Sequence, residues 1–195
     1  VSLVHVNERL GLPFDGAHIA RRLKDQRPDV VCLSFGSNHA WAAEQVARLA
    51  QEHLPDVPVV AGGIHATLDP EQCLGWRGVD LVGVGEMDDF RLVRVLEDLT
   101  QDRWPGPEAG FWYRRDGKPV RSPMPAPVPL EGGPRRMDLS LFDHRRIIEL
   151  KRGYADAISG RGCPFGCSYC HNDALRERYL RDLGCARSEL NYVRK

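Results

Sequence analysis

The sequence predicts an α/β protein: a doubly wound parallel sheet, then a proline-rich linker and the first βα unit of a second domain. Three observations predict it. Short apolar, β-branched runs alternate with stretches of helical periodicity over residues 1–104. Eight of the chain's 14 prolines then fall between Pro105 and Pro134. Beyond them, a short run leads into three closely spaced cysteines, Cys163, Cys167 and Cys170.

The elements follow in order. Val1–Val6 is predicted as a strand. Asp15–Gln26 is predicted as a helix, because Asp15 suits the N-cap and Ile19, Ala20 and Leu23 share one face. Asp29–Phe35 is a nearly unbroken apolar run, the pattern of a parallel strand covered on both faces. Cys32 within it is expected to be a buried small hydrophobe. Ala43, Val46, Ala47, Leu49 and Ala50 give helical spacing from about Ala40 to His53. Pro58–Ala61 reads as the next strand, ending in Gly62-Gly63, Pro70–Leu74 as a short helix and Val79–Val84 as a third apolar strand. Met87–Leu99 closes the first domain as a helix, with Phe90, Val93, Leu96 and Leu99 on one face.

Gly110–Val120 reads as a hairpin turning at Asp116-Gly117. The alternating prolines of Pro123–Pro129 exclude helix and central strand, so this segment is an extended linker. Met137–Glu149 is expected to wrap the following domain, Tyr154–Ser159 to be a strand delivering the cysteine loop, and Asn172–Leu183 to be a helix. The predicted division is 1–104 for the first domain, 105–137 for hairpin and linker, and 138–195 for the start of the second.

Strands joined by right-handed crossovers place their C-termini on one edge, where open α/β sheets bind ligands. Three loops leave that edge: Ser34-Phe35-Gly36-Ser37-Asn38, Gly62-Gly63-Ile64-His65-Ala66-Thr67 and Gly83-Val84-Gly85-Glu86. Small and polar residues there suit a close-lying ligand, and the glycines are also ordinary turn chemistry.

Bulk properties narrow the classes. The 27 basic and 27 acidic residues balance, so charge gives no argument for nucleic acid or an acidic membrane surface. No apolar run approaches the roughly 20 residues that span a bilayer, and the N-terminus does not read as a signal peptide. Six cysteines are too few for a disulfide scaffold, and half of them cluster. Thiolate ligands need reducing conditions, so the expected compartment is the cytoplasm.

The cysteines stand in the spacing C-x3-C-x2-C, within Ser159-Gly160-Arg161-Gly162-Cys163-Pro164-Phe165-Gly166-Cys167-Ser168-Tyr169-Cys170-His171-Asn172. A structural zinc site needs a fourth ligand, for which His171 or Cys185 is the available residue, and His171 is awkwardly adjacent to Cys170. A redox pair of Cys167 and Cys170 leaves Cys163 unexplained. Three thiolates on a four-iron cluster leave one iron open for chemistry, which fits the count. Gly166 lets the loop curl, and Phe165 and Tyr169 are expected to shield it from water.

The cysteine motif, with Tyr169 just before its last cysteine, resembles that of the radical SAM superfamily. The lead-in Ser159-Gly160-Arg161-Gly162-Cys163-Pro164 resembles its cobalamin-dependent branch. Residues 29–100 are similar to the flavodoxin-like B12-binding domain that precedes the cysteine loop in that branch: Asp29-Val30-Val31-Cys32-Leu33-Ser34, then Pro58-Val59-Val60-Ala61-Gly62-Gly63-Ile64-His65-Ala66-Thr67, then Asp80-Leu81-Val82-Gly83-Val84-Gly85-Glu86. The resemblance implies a 4Fe-4S cluster on Cys163, Cys167 and Cys170 whose open iron chelates S-adenosylmethionine. One electron then cleaves it to a 5′-deoxyadenosyl radical, and cobalamin typically donates a methyl group to an unreactive carbon. Tyr169 takes the aromatic position that packs near the adenine. Ser34, Gly36 and Asn38, Gly62, Gly63 and His65, and Gly85 and Glu86 are the implied cobalamin residues. The D-x-H-x-x-G motif that places histidine beneath cobalt is absent, because Asp15-Gly16-Ala17-His18 has the wrong spacing. Cobalt without a histidine ligand is therefore expected, with His65 near the nucleotide region. The implied partners are a small-molecule or natural-product substrate and an electron donor such as flavodoxin or ferredoxin, with no nucleic acid and no membrane.

The chain departs from that family in length. The family's β/α barrel has roughly 200 residues, like other barrels, and only its first strand, cysteine loop and part of one helix are expected here. The front carries four predicted strands where five are usual. An incomplete fragment is the expectation, and the alternative function is a non-catalytic cobalamin and iron–sulfur binding module.

Overall fold

A computed structural model of the chain describes residues 2–4, 6, 8–10, 13–87, 89–101, 103–104, 110–130 and 138–194, with the backbone alone for residues 89 and 90. Its centre is a five-stranded sheet in the order β1 (Val31–Ser34), β2 (Val59–Gly62), β3 (Leu81–Gly83), β4 (Phe111–Arg115) and β5 (Lys118–Arg121). The first three strands are parallel, with Val31 opposite Val59 and Val60 opposite Leu81. Residues 59–61 and 81–84 are buried throughout, as apolar runs of a two-sided sheet require.

Helices cover both faces, so the predicted α/β class holds. On one face lie α1 (Gly16–Gln26), α2 (Ala40–His53) and α4 (Pro70–Gly75), whose Ile19, Leu23, Ala43, Ala47, Ala50, Cys73 and Leu74 pack on Val31, Val59, Ala61 and Val82. On the other lies α5 (Asp89–Leu99), whose Val95 and Leu99 pack on Val60, Leu81, Phe111 and Tyr113. The expected N-cap of α1 is present: Asp15 accepts from the N–H groups of Ala17 and His18 at 3.3 and 3.0 Å. Asp69 caps α4 in the same way, with Pro70 in the first turn.

Several expectations are corrected. Residues 2–4 and 6 form no strand, and residues 1 and 5 of that prediction lie outside the described residues. Cys32 is exposed, because it points to the α5 side of the edge strand β1, which α5 does not reach. The inward residues of α5 are Leu92, Val95 and Leu99, and Val93 is exposed; the side chain of Phe90 lies outside the described residues. Residues 154–159 form no strand. The pairing there is one antiparallel bridge between Arg161 and Arg194, closed by N–H···O bonds of 2.8 and 2.9 Å.

The hairpin does not stand between domains. Its first strand β4 pairs antiparallel with β3, Gly83 opposite Phe111 and Leu81 opposite Tyr113, so it extends the sheet. It turns at Asp116 and Gly117, both at positive φ, the geometry that an Asp-Gly turn supplies. The following proline-rich segment is extended as expected, yet it is a packed strap rather than a loose tether. Ser122 donates to the Phe111 carbonyl at 2.7 Å, and Met124 is 1% exposed among Val84, Tyr179 and Tyr192. The chain then passes through α6 (His144–Leu150) to the cysteine loop and α7 (His171–Leu183). Among the described residues no helix is long and apolar enough to cross a membrane.

Phe111 is fully buried beneath α5 in the strand that carries the hairpin. Phe111→Ala is expected to destabilise the fold by about 3–5 kcal/mol, read as a lowered urea midpoint. A loss below about 1 kcal/mol would show that the hairpin is not part of the sheet's core.

Candidate functional site

The first two loops of the sheet edge are built together. Gly63 has φ +92°, and a Cβ there would lie 2.6 Å from the Phe35 carbonyl oxygen and 2.8 Å from its nitrogen. Only glycine permits this approach of loop backbones. The contact is closed by Phe35 N–H donating to Gly62 O at 3.3 Å and His65 N–H donating to Phe35 O at 3.4 Å. A short helix α3 (Ile64–Leu68) follows where the sequence suggested open loop. Ser34 and Asn38 are exposed, and Gly36, Gly62, Gly63 and His65 are half-buried, so this part of the edge faces outward.

Both ring nitrogens of His65 are engaged. Nε2 lies 2.7 Å from Gln72 Oε1 and Nδ1 lies 3.1 Å from the Ser37 hydroxyl. The ring is also stacked 6.0 Å from Trp76. A histidine held in this way shapes the loop wall.

The third loop is different. Thr67 joins it to the second by donating to Gly63 O at 2.9 Å and accepting from Gly85 N–H at 3.1 Å. Gly85 is covered: a Cβ there would lie 2.8 Å from Met124 Cγ. Glu86, expected to face a ligand, is instead committed to protein partners. Its Oε2 accepts from Arg194 Nη1 at 2.8 Å and from Val128 N–H at 3.0 Å. Its Oε1 accepts from Arg194 Nη2 at 2.5 Å, and its N–H donates to the Tyr179 hydroxyl at 3.1 Å. Arg194 is only 5% exposed and also donates to Val128 O at 2.5 Å. Burial alone would push the Glu86 carboxyl up, but the bonds and charge of Arg194, with Val128 N–H, outweigh it and hold the group below its ordinary range.

This arrangement fastens the cysteine segment to the sheet edge. Tyr179 lies on α7, which packs on α3, and Arg178 of α7 donates to the Leu68 carbonyl at 3.2 Å. Tyr192 is buried against Tyr179 and donates to Asn172 O at 3.0 Å. Burial, then neighbouring Tyr179, pushes its phenol up to about 12, so it stays a donor. Gly162, at φ +76°, meets the tail so closely that a Cβ would lie 2.1 Å from Tyr192 O. The three cysteines therefore begin one residue after a fixed backbone junction.

Cys163, Cys167 and Cys170 are half-buried. Cys170 N–H donates to Cys167 O at 3.1 Å, closing the turn, and Asn172 Nδ2 lies 3.7 Å from Cys170 Sγ. Among the described residues no three His, Cys, Asp or Glu side chains converge to hold a single metal ion. In an iron–sulfur cluster each thiolate binds its own iron, and Cys163, Cys167 and Cys170 supply three thiol donors from one loop. Phe165 and Tyr169 do not shield the loop: they are 70% and 90% exposed. The side chain beneath the loop is one the motif did not flag. Arg176, 4% exposed, donates through Nη1 to Phe165 O at 3.2 Å and Cys163 O at 3.4 Å. Its trace in the sequence is a helical face, Asn172, Arg176, Tyr179 and Leu183, with one cation among inward residues. Elsewhere, a cleft of about 680 Å³ is lined by Glu71, Trp112, Arg121, Arg178 and Arg181, but its cations are already paired, Arg121 with Glu71 and both Arg178 and Arg181 with Asp182.

Residues 4–92 match the family model of the B12 binding domain. Over 159 residues the chain is 30% identical to the anaerobic magnesium-protoporphyrin IX monomethyl ester cyclase of Cereibacter sphaeroides, covering 78% of this chain and 26% of that protein. Over 152 residues it is 30% identical to the cobalamin-dependent radical SAM methyltransferase TokK of Streptomyces tokunonensis, covering 73% of this chain and 22% of that one. The chain belongs to the B12-binding radical SAM family. Its fold is similar to part of the radical SAM methyltransferase TsrM of Kitasatospora setae, a structure with cobalamin and a 4Fe-4S cluster bound. The TM-score is 0.58 at 16% identity, over 81% of this chain and 33% of that one. The chain thus spans about a quarter of the length of these two curated relatives.

Within this B12-binding radical SAM chain, the Glu86 carboxyl gives the docking of the tail a pH dependence. Its folded pKa is depressed, so its contribution is present above the ordinary glutamate value of about 4.3 and is lost as pH falls through the folded value. Proteolytic release of residues 186–194 is expected to rise on acidification below that range. Glu86→Gln is expected to show the released behaviour already at neutral pH; protection equal to wild type would contradict the assignment.

Proposed function

We propose that this chain is the cofactor-bearing part of a B12-dependent radical SAM enzyme, carrying cobalamin on the open sheet edge and a 4Fe-4S cluster on the cysteine loop. The observation that carries this reading is the fastening of the two sites to each other. Glu86, Tyr179, Arg194 and the Met124 strap join the third edge loop to the segment that begins the cysteine loop. When bound, the cluster supplies the electron that cleaves S-adenosylmethionine, and cobalamin supplies a methyl group for transfer to an unreactive carbon.

The protein's own part is binding, orientation and water exclusion. Cys163, Cys167 and Cys170 hold the cluster as thiolates. Ser34, Gly36, Asn38, Gly62 and Gly63 provide the close backbone and small polar groups that a corrin and its nucleotide tail need. His65, its ring already bonded to Ser37 and Gln72, acts as a wall rather than a cobalt ligand. Gly85 and Glu86 support the edge from behind. Tyr169, exposed beside the last cysteine, is available to S-adenosylmethionine. The substrate is a small molecule, and the transfer is a methylation; cyclisation is the second chemistry, favoured by the likeness to the porphyrin ester cyclase. The electron comes from a reduced flavodoxin- or ferredoxin-type donor.

Anaerobic reconstitution tests the reading. Iron and sulfide are expected in equal amounts, lost together in the Cys163→Ala, Cys167→Ala and Cys170→Ala variants, with stoichiometric uptake of cobalamin by the same protein. Zinc without sulfide would overturn the cluster assignment. Both cofactors bound, with no 5′-deoxyadenosine formed from S-adenosylmethionine and reductant, would favour the non-catalytic binding module over an active enzyme.

A further inference from the structure

We propose that Arg176 is the positioning residue of the cysteine loop: its guanidinium braces the loop's backbone from below and sets the charge felt by the three thiolates. The inference rests on the cluster reading above and adds a residue outside the cysteine motif. Arg176 lies one and a half turns into α7, six residues after Cys170. Its Nη1 reaches two carbonyls of the same loop, Phe165 at 3.2 Å and Cys163 at 3.4 Å, and Nη2 pairs with Asp173. The guanidinium also fills the space beneath Gly166, whose Cβ position lies 3.6 Å from Nη2 and 3.4 Å from Asp173 Oδ1. One side chain therefore bonds two carbonyls in the first half of the loop and occupies the space that a side chain at Gly166 would meet.

A surface i,i+3 pair with Asp173 would explain a solvated arginine worth a few tenths of a kcal/mol. It does not explain this one. The Arg176 side chain is only 5% exposed against 31% for Asp173, and among the described residues its buried Nε has no hydrogen-bond partner, Glu177 Oε1 lying 3.8 Å away. Burying a charge so incompletely satisfied is costly, and an apolar residue at this inward position of α7 would pack without that penalty. What the cation adds is a fork that fits two carbonyls at once, together with a fixed positive charge beside ligands that must be anionic. A loop with exposed Phe165 and Tyr169 has little other side-chain packing to hold its shape.

Arg176→Leu and Arg176→Lys separate bracing from charge. In apo protein whose helix content matches wild type, amide exchange across residues 163–167 is expected to accelerate in both variants, while residues 59–62 of the sheet stay protected. In reconstituted protein, Arg176→Leu is expected to lose iron to a chelator about 10–100-fold faster, the range for residues that support metal ligands. Its cluster midpoint potential is expected to move negative, since a positive charge is gone and Asp173 is left unpaired. Arg176→Lys restores the charge without the fork, so its potential returns toward wild type while exchange and iron loss remain fast. Wild-type exchange and iron loss in both variants would overturn the proposal. If Arg176→Leu does not fold, Arg176→Lys alone decides through the same two rates. Failure of wild-type protein to take up iron with sulfide would count against the cluster reading, whereas the apo exchange data would still judge the brace.

Discussion

The ion pair of half-buried Glu86 and buried Arg194 is the constraint on which the rest of this structure depends. It joins residues 108 positions apart and gathers four segments at one point: the third loop of the sheet edge, the Val128 strap, α7 through Tyr179, and the tail. A buried ion pair is weak evidence for net stability, since desolvation offsets most of the attraction. Its value lies in direction. Glu86 offers two oxygens to a planar fork, and the Val128 backbone both donates to the carboxylate and accepts from the guanidinium. These bonds together set one register for the docking, with Arg194 Nε left buried and without a hydrogen-bond partner among the described residues.

That register divides the sheet edge. The first two loops, tied by Gly63, His65 and Ser37, face outward, while the third is covered by Met124 and used for attachment. A ligand on this edge is thus bounded on one side by the element that delivers the cysteines. Gly162 and the Arg161–Arg194 bridge then fix where the cysteine loop starts, and Arg176 supports its first half. On the proposed reading, the proximity of the two cofactor sites is a property of backbone and buried charge rather than of a tether.

Much of this was legible in local pattern. The apolar runs of the three parallel strands, the Asp15 cap, the Asp116-Gly117 turn and α2 from Ala40 to His53 follow from periodicity and turn chemistry within a few residues. The cysteine spacing and its resemblance identified the family. What sequence reading missed depends on long-range contact. Nothing local marks Glu86 as a partner of Arg194, so it read as one more loop residue near a ligand. The proline segment read as a linker because proline forbids regular structure, yet an extended chain can still bury Met124. The hairpin joined the sheet because β3 had an open edge, which only tertiary structure reveals. Cys32 looked buried because an apolar run implies two covered faces, and α5 does not reach the edge strand.

A double-mutant cycle across Glu86→Gln and Arg194→Met tests the central claim, that the pair holds the cysteine segment on the cobalamin edge, most directly. Stability would be read by denaturation and docking by amide exchange at residues 84–86 and 161–163. The account predicts a coupling of about 1–3 kcal/mol, with both stretches deprotected together in either single variant and little further change in the double. Effects that simply add, or deprotection confined to one stretch, would contradict it.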